Sequence, residues 1–170
     1  ETEEHCSLLK LKSPVLSNEQ LQQIRDSGIE ELRTETISMF TDISKKGEGL
    51  ADALQQLCEN AERALDDGAG LIILSDRGAN QQQTPIPALL AIGAVHHHLI
   101  RQGKRSKCGL IIETAEAREV HHIACLLGYG AGAVNPYLAI ASIEQLILDG
   151  QLNDGEQTKT VGREKAIANY

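Results

Sequence analysis

Residues 70–75 read GLIILS, a run that is apolar through its interior, too short for a helix, and bounded by Gly68 before it and Asp76-Arg77-Gly78 after it. A strand apolar at successive positions buries both faces, which is the condition of a parallel sheet covered by helices. Cys108 to Thr114 (CGLIIET) repeats the pattern, and Ala131 to Asn135 repeats it in shorter form. Between these runs lie helical stretches: Pro87 to Gln102, Glu116 to Leu127, and Pro136 to Asp149, the last begun by Pro and closed by Gly150.

Upstream, Leu50, Ala53, Leu54, Leu57, Cys58, Ala61, Ala64 and Leu65 recur at the spacing of one helix face, and Gly68 stops them. Thr34 to Phe40, with Ile37 and Met39 two apart, reads as a strand. Ser17 and Gln20 form a capping box ahead of Leu21 and Ile24, and Gly28 closes this small leading helix. The alternation predicts an α/β fold: a parallel sheet of about four βα units, a half-barrel or a small open sheet flanked by helices. The expected organisation is a leading segment over 1–16, a βα core over 17–150, and a polar linker with the start of a final helix, from about Gly162, over 151–170.

The chain has 170 residues, 41% apolar and 24% charged, values of an ordinary globular domain. Its formal charge of −8 and 2% aromatic content lack the basic clamps and stacking platforms that nucleic acid requires. No stretch approaches the roughly 18 apolar residues of a membrane span, and the acidic start Glu1-Thr2-Glu3-Glu4 is unlike a signal peptide. Cys6, Cys58, Cys108 and Cys125 are far apart with no CxxC pair, so they read as reduced thiols, and a cytoplasmic or comparable reducing compartment is expected. The only Met is Met39, and the last helical stretch runs to Tyr170 without a stop signal, so the chain reads as a fragment of something larger.

Three groups of residues invite chemistry. His96-His97-His98 and His121-His122 suggest a metal, but neighbours on a helix point about 100° apart and cannot converge on one ion. His121 and Cys125, four apart, could supply two ligands where three or four are needed, so packing or hydrogen bonding is the expected use of these histidines. Gly128, Gly130 and Gly132 (GYGAG) follow a helix and open a strand, the reverse of a dinucleotide loop, and are expected to serve as a helix stop and tight turn.

The third group lies where the strands end: Asp42, Asp76-Arg77-Gly78, Glu113-Thr114 and Asn135-Pro136-Tyr137. The carboxyl edge of a parallel sheet is where ligands bind. Asp76, Arg77, Glu113, Thr114 and Asn135 are therefore the candidates for a ligand or domain-contact edge. The competing expectation is structural, with Asn135 and Thr114 capping helices while Asp76 and Arg77 pair with neighbours across the edge. No nucleophile flanked by a base, metal set or phosphate loop is present, so no catalytic, cofactor-binding or metal-binding residue is expected. The stretch Pro136 to Asp149 spreads apolar residues over roughly 200°, more than one sheet face absorbs, which predicts a second contact and self-association if that contact is missing.

The runs LIILSDRG (71–78), PIPALLAIGAVHHHLIRQG (85–103), AREVHH (117–122) and LLGYGAGAVNPYLA (126–139) resemble the central domain of the glutamate synthase large chain. The resemblance covers roughly Ser13 to Tyr170, with Ser13-Pro14-Val15-Leu16 similar to the start of that part and REKAIANY (163–170) similar to the helix leading to a flavin domain. It implies a parent enzyme that releases ammonia from glutamine, channels it, and makes glutamate from 2-oxoglutarate at FMN beside a 3Fe-4S cluster. It implies that both cofactors lie outside this chain, and that this chain is a non-catalytic connector whose partners are the neighbouring amidotransferase and FMN domains. A cytoplasmic or plastid-stromal setting follows from the same resemblance. The alternative from another class is a small module that binds an anionic metabolite through Arg77 and the strand-end edge.

Overall fold

The computed structural model describes residues 9–42, 44, 46–152, 162 and 165–167. The expected linker and final helix fall mostly outside them, as does Cys6. In chain order the elements are α1 (Asn18–Arg25), β1 (Thr34–Ser38), β2 (Phe40–Asp42), α2 (Lys46–Asp66), β3 (Leu71–Ser75), β4 (Gln83–Pro85), α3 (Ala88–Arg101), β5 (Gly109–Glu113), α4 (Val120–Gly128), β6 (Ala133–Asn135) and α5 (Tyr137–Leu148).

Four strands form one parallel sheet in the order β1-β3-β5-β6, which is chain order. The winding therefore runs in one direction, as in an arc of a barrel, but the sheet stays open. Side-chain alternation sorts its residues between two apolar layers. Ile37, Ile72, Leu74, Leu110, Ile112 and Val134 pack with Leu57 and Ala61 of α2, Ile92, Val95 and Leu99 of α3, and Ile123 and Leu126 of α4. Leu71, Ile73, Ile111 and Ala133 face the other way and are covered by Leu16 and by Leu21 and Ile24 of α1. All five residues of β3 are buried, as the GLIILS run requires.

The expected capping box is present: the Gln20 amide donates to Ser17 Oγ (3.2 Å) and the Ser17 amide to Gln20 Oε1 (2.8 Å). Residues 14–16 then run beside β6, where the Leu16 amide donates to the Val134 carbonyl and the Val134 amide to the Pro14 carbonyl, both at 2.8 Å. This short parallel bridge seals one edge of the sheet.

The structure departs from the sequence reading in two elements. The strand expected over Thr34 to Phe40 divides at Met39, whose amide donates to Ser75 and whose carbonyl accepts from Ile86, both at 2.9 Å. Beyond it, β2 pairs antiparallel with β4 in a separate ribbon. The helix expected from Glu116 begins instead at Val120, because Glu116 is engaged elsewhere: its carboxylate accepts from the Ala88 amide (2.8 Å) at the start of α3, where Pro87 offers no side-chain cap.

The GYGAG turn is a helix stop. Gly130 has φ +113°, and a Cβ there would strike the His96 ring. The three consecutive histidines of α3 diverge as expected: His96 Nδ1 accepts from Arg105 Nε (2.9 Å), His97 is exposed, and His98 Nε2 meets Glu62 (2.9 Å). α5 buries Ala139 and Ile140, whereas Leu138, Leu146 and Leu148 are exposed and Ile147 is half-buried, so part of its wide apolar surface is uncovered.

Candidate functional site

At the carboxyl ends of β3, β5 and β6 five polar residues are buried together: Ser75, Asp76, Glu113, Thr114 and Asn135. Each is delivered there by its strand's last pleat or by the residue after it. Glu113 is the hub. Its Oε1 accepts from Arg77 Nε (2.6 Å), and its Oε2 accepts from Arg25 Nη2 (2.8 Å) and Ser75 Oγ (2.5 Å). Burial raises the pKa of this carboxyl, yet the hydrogen bonds from Arg25, Ser75 and Arg77 outweigh it and hold the group below the ordinary carboxylate range.

A second carboxylate works beside it. Asp76 accepts from Thr114 Oγ1 (2.6 Å) and from the Ala115 amide (3.0 Å). Tyr137, at the start of α5, has its hydroxyl pKa pushed up to about 12, first by burial and then by its hydrogen bond to Asp76. The Arg77 guanidinium lies 4.1 Å from the centre of the Tyr137 ring. Arg77 also donates to Asn18 Oδ1 (3.1 Å), which accepts in addition from Asn135 Nδ2 (3.1 Å).

The expected pairing of Asp76 and Arg77 with neighbours across the edge is present, Asp76 with Thr114 and Arg77 with Glu113, whereas the expected caps are not. Asn135 Nδ2 donates to the Leu16 carbonyl (2.9 Å), 119 residues away in sequence, and α5 has no side-chain cap. Thr114 Oγ1 accepts from the Glu116 amide (3.1 Å) in a local turn, six residues short of α4. Arg25, Asn18 and Ser75 complete the network and are not among the sequence candidates. Nothing local marks them, since Arg25 and Asn18 sit on a short polar helix face.

The arrangement is self-neutralising: the Arg25 and Arg77 guanidiniums stand against the carboxylates of Glu113 and Asp76, and the other polar groups pair with one another except the buried Asn135 Oδ1, which has no partner among the described residues. Two cavities of the described residues lie away from it, one of about 350 Å³ between α1 and residues 9–13 and one of about 420 Å³ beside β1 and α2. Among the described residues no three His, Cys, Asp or Glu side chains converge as metal ligands. Cys58, Cys108 and Cys125 are free thiols on three different segments of the chain.

The sequence profile described as the glutamate synthase central domain matches residues 1–169. The chain belongs to that family. It is 41% identical over 169 residues, 99% of its length, to the glutamate synthase [NADPH] large chain of Bacillus subtilis. Identity to the ferredoxin-dependent glutamate synthase of Pyropia yezoensis is 43% over 77% of the chain, and to ferredoxin-dependent glutamate synthase 1, chloroplastic/mitochondrial, of Arabidopsis thaliana 39% over 98%. This central domain spans about a tenth of the length of these relatives: 10%, 8% and 10% respectively. No described helix of this central domain is long and apolar enough to cross a membrane.

Proposed function

We propose that this chain is the central-domain segment of a glutamate synthase large chain and acts there as a non-catalytic connector between the glutaminase and FMN domains. The enzyme would convert glutamine, 2-oxoglutarate and a reductant into two glutamates, in a cytoplasmic or plastid-stromal setting. FMN and the 3Fe-4S cluster belong to other parts of that polypeptide, and none of residues 1–170 carries a chemical step. The observation that supports the reading is the mutual pairing of the strand-end charges. Arg77, the group an anionic metabolite would need, is committed to Glu113, Asn18 and the Tyr137 ring.

The test is kinetic. In the intact large chain, Arg77→Ala should lower thermal stability while leaving KM for 2-oxoglutarate and for glutamine within about twofold. Removing a guanidinium that holds an anion directly costs about 1.5–3 kcal/mol, which is tenfold or more in binding. A rise of that size in either KM would favour the anionic-metabolite module instead.

A further inference from the structure

The two edges of the parallel sheet are treated differently. At the β6 edge the chain's own residues 14–16 take up the main-chain hydrogen bonds. At the β1 edge nothing among the described residues does so. The Leu71 amide donates to the Arg33 carbonyl (3.1 Å) and the Met39 amide to the Ser75 carbonyl (2.9 Å), so residues 33, 35, 37 and 39 turn their main-chain groups toward β3. Thr34, Thr36 and Ser38 must then present theirs outward.

Beside that edge runs a groove of about 420 Å³ whose far wall is the end of α2 and the residue after it, with Asn60, Arg63, Ala64 and Asp67 across from Glu35 and Ile37. Its rim charges, Arg33, Glu35, Arg63 and Asp67, are of mixed sign, and no ion pair joins them among the described residues. An open row of amides above a polar groove is a template for an added strand.

We infer that the β1 edge is completed by an extended segment of the same large polypeptide lying outside residues 1–170. This rests on the connector reading, under which about nine-tenths of the polypeptide lies elsewhere. A tethered segment is favoured over a second copy for two reasons. A five-residue edge is far shorter than the 20–30 residues a side of a stable interface, but a tethered segment binds intramolecularly and does not need that area. A second copy would also bring another formal charge of −8 against this one.

Hydrogen exchange of the intact large chain, read at single amides, tests this. Thr34, Thr36 and Ser38 should be slowed about 100-fold or more, alongside Glu35 and Ile37, at every protein concentration. Thr36→Pro, whose lost N–H points away from β3, should release Thr34 and Ser38 while Glu35 and Ile37 stay slow. Free exchange at Thr34, Thr36 and Ser38 in a native product about ten times this chain's mass would overturn the inference alone. Protection that fades on dilution would assign the edge to a second copy and overturn it too. A native product of only 18.4 kDa would remove the connector reading together with the inference.

Discussion

Glu113 is 1% exposed, whereas its partners Arg25 and Arg77 are 25% and 46% exposed and can return to water if the carboxylate is lost. Glu113→Gln should therefore cost about 2 kcal/mol, below the figure for a fully buried pair. Because the folded carboxyl titrates below its unfolded value of about 4.3, this stabilisation is fully present above that pH and disappears as pH falls through the folded pKa. Urea titrations of wild type and variant should differ by a constant amount above about pH 5 and converge on acidification. Gly130 offers a second residue-scale test. Ala there requires positive φ and collides with His96, so a loss of about 2 kcal/mol is expected, while Gly128→Ala, with open space at its Cβ, should be tolerated. Equal melting temperatures for the two alanine variants would contradict this.

Among the elements, α5 is held unevenly. Ile140 is fully buried and Leu148 is 80% exposed, so Ile140→Ala should cost about 3 kcal/mol and Leu148→Ala should stay within about 0.5 kcal/mol. Calorimetric melting of both variants checks the difference. How far such elements can be read from sequence depends on the range of what builds them. β3 and β5 are legible because LIIL and LII need no partner information: apolar side chains on both faces admit one environment. The ribbon of β2 and β4 is not, since Gln83-Thr84-Pro85 carries no apolar pattern and pairs only because Met39 hands the chain out of the sheet. Asn135 reads locally as a cap because Asn-Pro at a strand end is a helix-start signal. Its actual partner, the Leu16 carbonyl, comes from the opposite end of the chain, which no local rule reaches. Topology alone brings Asp76, Arg77, Glu113, Thr114 and Asn135 to one sheet edge, whereas Asp42 lies in the separate ribbon of β2 and β4 because the chain leaves the sheet at Met39, and Arg25 joins the edge only through the packing of α1 on the sheet.

Across the whole molecule, residues 14–18, β6 and Asn135 form one clasp. Asn135→Ala removes the bonds to Leu16 and Asn18 and leaves a buried carbonyl without its donor, so it should cost about 2 kcal/mol. The loss should be local first: limited proteolysis ahead of Ser17 is expected to accelerate before the core melts, and cleavage unchanged from wild type would show that the clasp holds without Asn135.

That clasp also sets how the domain would carry mechanical load. A pull applied through residue 13 at one end and residue 150 at the other travels through residues 14–18, across to β6, and out along α5. The strain falls on four hydrogen bonds, Leu16 to Val134, Val134 to Pro14, and Asn135 to Leu16 and Asn18. Val15 and Leu16 leave the two apolar layers as those bonds break, while the ladder joining β1, β3 and β5 lies off this path. Tension between flanking parts of the polypeptide would thus open this seam first and lengthen the connection while the β1-β3-β5 ladder stayed paired, so that the sheet edge behaves as a fuse.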